Sequence, residues 1–294
     1  MVSAIQKKVN SWRQSTWGDL LSEFIGTFVL IALGNGVVGL AVVGMYGSGR
    51  AEEIFVAAGD WMIIGWGWGL AVAFGVYIAG GVSGAHLNPA VTLGHAFKGM
   101  VSWGKVIPYW IAQTAGAFLG AVVVYIDYYQ SIDMFNADHG VTRASEGGLD
   151  TFSIFATFPA ESAQGTWFVP LFDQILGTFL LVMFIYALID KKNVGFGGLK
   201  NMAPFVVGLA VVAIGISFGT DAGYAINPAR DFGPRLFTWF AGWGENAFPG
   251  PGNYWWIPII GPLIGGALAP FAYNWFIEKT LHERSEGEES DDDS

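Results

Sequence analysis

A chain of 294 residues that is 53% hydrophobic and only 13% charged falls well below the roughly 25% charge of a soluble domain, so most of it is built to face lipid. Cysteine is absent, which excludes a disulfide framework, a thiolate metal site and thiol catalysis. The net charge of −10 is not an even acidic surface, because Glu286, Glu288, Glu289, Asp291, Asp292 and Asp293 crowd into a tail, 281–294, that reads as solvated and disordered.

The N-terminal segment, 1–17, carries Lys7, Lys8 and Arg13 with no apolar run before Leu20, so it lacks the apolar centre of a cleavable signal peptide. A hydrocarbon core about 30 Å thick needs roughly 20 apolar helical residues. Six stretches supply them, at about 20–45 (with Glu23 inside), 61–83, 106–126, 167–189 (with Asp173 inside), 201–220 and 254–277. They predict an all-α membrane protein.

One apolar run is too long for a single crossing. From Trp61 to Phe97 there is no Asp, Glu, Lys or Arg across 37 residues, so the chain enters and turns back. The break is Gly80-Gly81-Val82-Ser83-Gly84-Ala85-His86-Leu87-Asn88-Pro89, in which glycines loosen helix and Asn followed by Pro starts a new one. From Pro89 to Lys98 the new helix is about 15 Å long at 1.5 Å per residue, half the hydrocarbon thickness. The same signal recurs at Asn227-Pro228-Ala229, after the polar break Gly219-Thr220-Asp221-Ala222-Gly223.

Two such breaks suggest an internal duplication. A second register agrees: Glu23-Phe-Ile-Gly-Thr-Phe-Val-Leu30 resembles Gln174-Ile-Leu-Gly-Thr-Phe-Leu-Leu181. Each half, about 18–130 and 167–280 within a channel domain of 18–280, is then three spans plus one half-helix. Three is odd, so the halves enter the membrane in opposite orientations, as inverted repeats. Lys7, Lys8, Arg13, Lys98, Lys105, Lys191, Lys192, Lys200, Lys279 and Arg284 fall on one side of this topology and Arg50, Arg143, Arg230 and Arg235 on the other, which places both termini in the cytoplasm. The connection from Asp127 to Thr166, with six acids and one Arg, lies outside; its sequence names no role. Close helix contacts are expected at Gly116-x-x-x-Gly120 and Gly261-x-x-x-Gly265.

In this topology Pro89 and Pro228 point at one another near the midplane, bringing two positive helix ends to one small volume. Asn88 and Asn227 stand there with amides to donate, and the carbonyls of Gly84, Ala85, His86, Leu87 and of Gly223, Tyr224, Ala225, Ile226 supply acceptors along a wet path. A lone Asn-Pro pair is most often a helix cap. Two matched Asn-Pro-Ala triplets, Asn88-Pro89-Ala90 and Asn227-Pro228-Ala229, each after a glycine-containing break, point to a pore.

From about Gly18 to Glu278 the chain resembles the aquaporins, and specifically their aquaglyceroporin branch, through Ser-Gly-Ala-His-Leu-Asn-Pro-Ala (83–90) and Asn-Pro-Ala-Arg-Asp-Phe-Gly-Pro (227–234). The resemblance implies a right-handed bundle of six spans and two half-helices in the plasma membrane. It also implies a homotetramer with a pore in every protomer, and a filter on the outer side formed by Trp68, Gly215, Tyr224 and Arg230. Trp68 and Tyr224 offer apolar surface to a carbon chain and Arg230 offers fixed donors to hydroxyls. Water-selective members carry His at the position of Gly215, and Asp231 is typical of the glycerol branch, so glycerol, other small neutral solutes and water are the expected passengers, with protons and ions excluded. Two departures stand out. Glycerol members commonly have Phe where this chain has Tyr224, whose hydroxyl either hydrogen-bonds solute or narrows and polarises the filter. Gln174 stands where the family usually has a second buried Glu like Glu23, which supports its re-entrant loop; an amide still supplies an acceptor.

Glu23 is read as structural support in preference to a functional charge, and Gln174 and Asp231 are grouped with it as loop support. His86 either lines the cytoplasmic mouth or packs there, and His95, His139 and His282 show no metal spacing. No metal, cofactor or nucleic-acid site is expected. The other readings are a predominantly water-selective channel, an ion-coupled secondary transporter, for which intramembrane carboxylates are few, and an enzyme, for which no Ser and His come together.

Overall fold

The computed structural model describes residues 13–49, 61–193 and 202–292, with side chains to residue 285. Lys7, Lys8, Arg50 and Lys200, used above for orientation, lie outside the described residues. Every regular element among them is helical. In chain order they are α1 (Thr16–Gly47, with a π-helical turn at Leu40–Gly44), α2 (Trp61–Ser83), α3 (Pro89–Phe97), α4 (Trp103–Asp138), α5 (Leu149–Phe152), α6 (Phe168–Ile189), α7 (Ala203–Phe218), α8 (Pro228–Thr238), α9 (Ile257–Tyr273) and α10 (Lys279–Asp292).

Five of the helical stretches are long and apolar enough to cross a membrane, those carrying α1, α2, α4, α6 and α9, and α7 is a shorter apolar helix of 16 residues. The last ends at Gly219 because the chain must turn there to re-enter. Where expectation and structure differ most is α4, expected to stop near residue 126 and continuing to Asp138. The acidic residue Asp127 marks the end of the lipid-facing run but not of the helix. Beyond it Ile132 and Asn136 are buried, Tyr128 packs over Gly39 and Gly44, and Tyr46 donates to Asp138 at 2.7 Å. The tail also differs from its composition. Composition reads 281–294 as disordered, yet α10 runs to Asp292, because Lys279, Leu281, Glu283 and Arg284 are good helix formers continuing an existing helix, which removes the nucleation cost.

Packing follows an inverted repeat. α1 packs on α2 and α4 as α6 packs on α7 and α9; the half-helix α3 crosses α9 and the half-helix α8 crosses α4; α2 and α7 meet each other at the centre. The expected glycine pairs sit at close helix crossings. A β-carbon at Gly116 or Gly120 would overlap the backbone of α1 at Phe24 and Phe28, and one at Gly265 would overlap α6 at Ile175. Thr27 Oγ1 donates to the Glu23 carbonyl at 2.7 Å and Thr178 Oγ1 to the Gln174 carbonyl at 2.8 Å, a local bond repeated in both halves.

Candidate pore and its filter

Each half-helix begins as its sequence dictates. Asn88 and Asn227 hold extended backbone as N-caps, Pro occupies the first turn, and the Asn side-chain oxygens accept from Ala90 N (2.8 Å) and from Ala229 N and Arg230 N (3.0 and 3.2 Å). Before each cap the backbone repeats one unusual pattern: Gly84 (φ 88°), Ala85 (50°) and Leu87 (52°) match Gly223 (73°), Tyr224 (64°) and Ile226 (45°). Left-handed conformations cost L-residues, most of all the β-branched Ile226, so something must hold them.

In the first half that support is Glu23, fully buried. Its Oε1 accepts from Ser83 Oγ (2.6 Å) and His86 N (2.9 Å), and its Oε2 from Leu87 N (2.7 Å) and Gln113 Nε2 (2.8 Å). In the second half Gln174, also fully buried, accepts from Ile226 N at 2.7 Å. Asp231, grouped with these two as loop support, acts elsewhere. It accepts from Thr157 N (2.8 Å), Thr157 Oγ1 (2.6 Å) and Arg235 Nε (2.7 Å), in a buried ion pair that anchors the connection between the halves.

The two loops are also tied to each other. Asn88 Nδ2 donates to the Ile226 carbonyl at 2.9 Å and Asn227 Nδ2 to the Leu87 carbonyl at 2.8 Å. One N–H of each amide is thus engaged across the midplane.

Two cavities run along this structure. The inner one is bounded by Val72, Val76, His86, Asn88, Leu181 and Asn227 among others; the outer one by Trp61, Ser153, Thr157, Phe158, Thr220 and Gly223 among others. Trp68, Tyr224 and Arg230 line both, so these three side chains form the wall between them. The Arg230 guanidinium lies 4.0 Å from the centre of the Trp68 ring, a cation–π contact, and its NH1 donates to the Phe155 carbonyl at 3.2 Å. Trp68 Nε1 and Arg230 Nε are buried with no acceptor among the described residues.

Gly215 is placed differently from expectation: it is not among the residues lining either cavity, because the Tyr224 ring fills the space its missing side chain leaves. The Tyr224 hydroxyl donates to the Val211 carbonyl. That bond engages the hydroxyl with backbone. Ala85, His86, Leu87, Ala225 and Ile226 line the inner cavity and Gly223 the outer, whereas Gly84 lies exposed at the inner end and lines neither. His86 both lines and packs: it meets Thr92 Oγ1 at 3.1 Å and the His95 ring edge-on at 4.6 Å.

Sequence reasoning missed Gln113, Phe155, Thr157 and Arg235. Arg235 carried a readable signal, four residues after Asp231 on one helix face. Phe155 and Thr157 carried none, since they reach the site from irregular chain. His282, given no metal spacing, comes within 4.8 Å of Asp190 and Glu278, but Glu278 is already paired with Lys98.

Comparison with known proteins agrees with this architecture. Residues 8–273 match the family described as Major intrinsic protein. Similar relatives include "Aquaporin-10" of Milnesium tardigradum, 41% identical over 90% of this chain and 64% of that protein. "Aquaglyceroporin-2" of Rhizophagus irregularis is 39% identical over 89% and 80%, and "Aquaporin-9" of Homo sapiens 39% over 88% and 82%. The chain thus spans just under two thirds of the length of the tardigrade relative. The X-ray structure of the aquaglyceroporin from Plasmodium falciparum superposes with a TM-score of 0.75 at 29% identity, covering 91% of this chain and 99% of that one. Six apolar helices, two capped half-helices meeting at matched Asn-Pro-Ala triplets and a match over nearly the whole bundle give one conclusion: this chain is a multi-pass membrane protein of the major intrinsic protein family.

Proposed function

We propose that the protein is a passive channel, not an enzyme, that lets glycerol, other small neutral solutes and water cross the membrane. The observation that carries this reading is the wall shared by the two cavities. Trp68 and Tyr224 present apolar rings to a carbon backbone, while Trp68 Nε1 and Arg230 Nε are donors without a protein acceptor among the described residues. A buried donor without a partner is costly, and a passing hydroxyl relieves that cost; a polyol offers both the apolar edge and the hydroxyls. The names of the fungal and Plasmodium relatives, aquaglyceroporins, support the same solute class. Two half-helix N-termini and a fixed guanidinium oppose cations and protons, a barrier for which aquaporin-type pores are the standard example.

The filter on this reading is Trp68, Tyr224 and Arg230, with Gly215 acting indirectly by making room for the Tyr224 ring. Asn88 and Asn227 hand solute through the midplane, and the carbonyls of the loops act as acceptors. The distribution of basic residues supports a membrane orientation with both termini cytoplasmic, and the plasma-membrane location and the homotetramer are carried over from the resembled family. Stopped-flow light scattering on proteoliposomes tests the function. Re-swelling in a glycerol gradient faster than in empty liposomes is expected; fast shrinkage in an impermeant osmolyte with no glycerol entry would make this a water channel instead.

A further inference from the structure

The two re-entrant loops carry the same strained backbone but not the same support. Glu23 needs no orientation, since both of its oxygens accept. Gln174 is different: turned over, its amide would present Nε2 to the Ile226 N–H, donor against donor. In the structure Gln174 Oε1 faces Ile226 N at 2.7 Å and Gln174 Nε2 donates to Asp173 Oδ2 at 3.3 Å. Asp173 is buried inside span α6, where a carboxylate is costly and calls for a reason.

We propose that Asp173 is a positioning residue that fixes the orientation of the Gln174 amide, so that Asp173 and Gln174 together do for the second loop what the single carboxylate Glu23 does for the first. A carboxylate can only accept, so it selects the NH2 end of the amide and leaves the carbonyl end to the loop. The effect passes on through named bonds. Gln174 holds Ile226 N while Ile226 stays left-handed at φ 45°, and the Ile226 carbonyl in turn receives Asn88 Nδ2 at 2.9 Å. Asp173 therefore acts on the midplane amide of the opposite half without lining either cavity.

The test is a sign reversal between neighbouring positions, measured on full-length protein as thermal unfolding in detergent and as flux per folded channel in proteoliposomes. Asp173→Ala is expected to lower Tm by roughly 2–4 °C and to reduce flux. Asp173→Asn, which keeps a neutral acceptor, should lose less. Gln174→Glu should lower Tm when Asp173 is present, because two carboxylates then adjoin, yet raise it when combined with Asp173→Ala, because one carboxylate again accepts for the loop. A double variant no better than Asp173→Ala alone, or an Asp173→Ala protein equal to the parent in both readouts, overturns the proposal. The flux arm rests on the channel reading and the unfolding arm does not, so liposomes that conduct nothing would count against that reading while the order of Tm values still decides the role of Asp173.

Discussion

The two re-entrant loops share left-handed positions, an Asn cap and a following half-helix, and differ in what surrounds them. The first is held from within the bundle, by Glu23 and Gln113. The second takes one bond from Gln174, and beside it Asp231 and Arg235 pin the connecting segment, with Arg235 also reaching the carbonyls of Thr157 (2.5 Å) and Ala247 (3.0 Å). At the matched left-handed position the first loop has Ala85 and the second Tyr224. A methyl stands where the second loop places a tyrosine ring, in the wall that Tyr224 shares with Trp68 and Arg230. A duplicated backbone thus carries two different surroundings, because the side chains and the connection between the halves break the symmetry.

This contrast can be broken most severely at the ion pair peculiar to the second half. Asp231→Ala leaves Arg235 buried and uncompensated, for an expected loss of about 3–5 kcal/mol. Thermal unfolding of the purified protein would show it, and a change within error of the parent would mean that the connection is held by something else. In the first half, Glu23→Gln sets an amide donor against His86 N in one orientation and against Leu87 N and Gln113 Nε2 in the other, at a cost of about 1–3 kcal/mol seen in the same unfolding measurement. If it were silent, the carboxylate would have no advantage over the amide that the second half uses.

Gly215 sharpens the comparison at the filter. A β-carbon there collides with the Tyr224 ring, so Gly215→Ala should cost about 1–3 kcal/mol by overpacking and displace the ring. Gly215→His should cut glycerol flux more than water flux in stopped-flow assays; equal losses in folded protein would remove Gly215 from selectivity. The smallest effect is expected from Tyr224→Phe, which removes only the bond to the Val211 carbonyl, worth about 0.5–1.5 kcal/mol. Its glycerol-to-water ratio should stay near that of the parent, and a large change would show that the hydroxyl meets the solute.

The spans, the half-helices and the inverted repeat were legible because their signals are local: apolar length against bilayer thickness, and Asn-Pro caps at a break. Glu23 was legible as a charge inside a span. The Tyr224 ring over Gly215 was not, since the two positions are joined only by a fold in the chain. The reach of α4 to Asp138 was missed because charge ends a lipid-facing surface without ending a helix.

Sequence alone therefore determined the membrane class, the duplication and the residues gathered at the midplane, because each is fixed by composition or by neighbours within a turn of helix. Only the tertiary structure decided that Asn88 and Asn227 bond across to Ile226 and Leu87, that Phe155 and Thr157 from the outer connection brace Arg230 and Asp231, and that Trp68, Tyr224 and Arg230 separate the inner cavity from the outer one. These contacts join residues dozens to more than a hundred positions apart, and no local preference of the chain encodes which distant carbonyl a buried donor will meet.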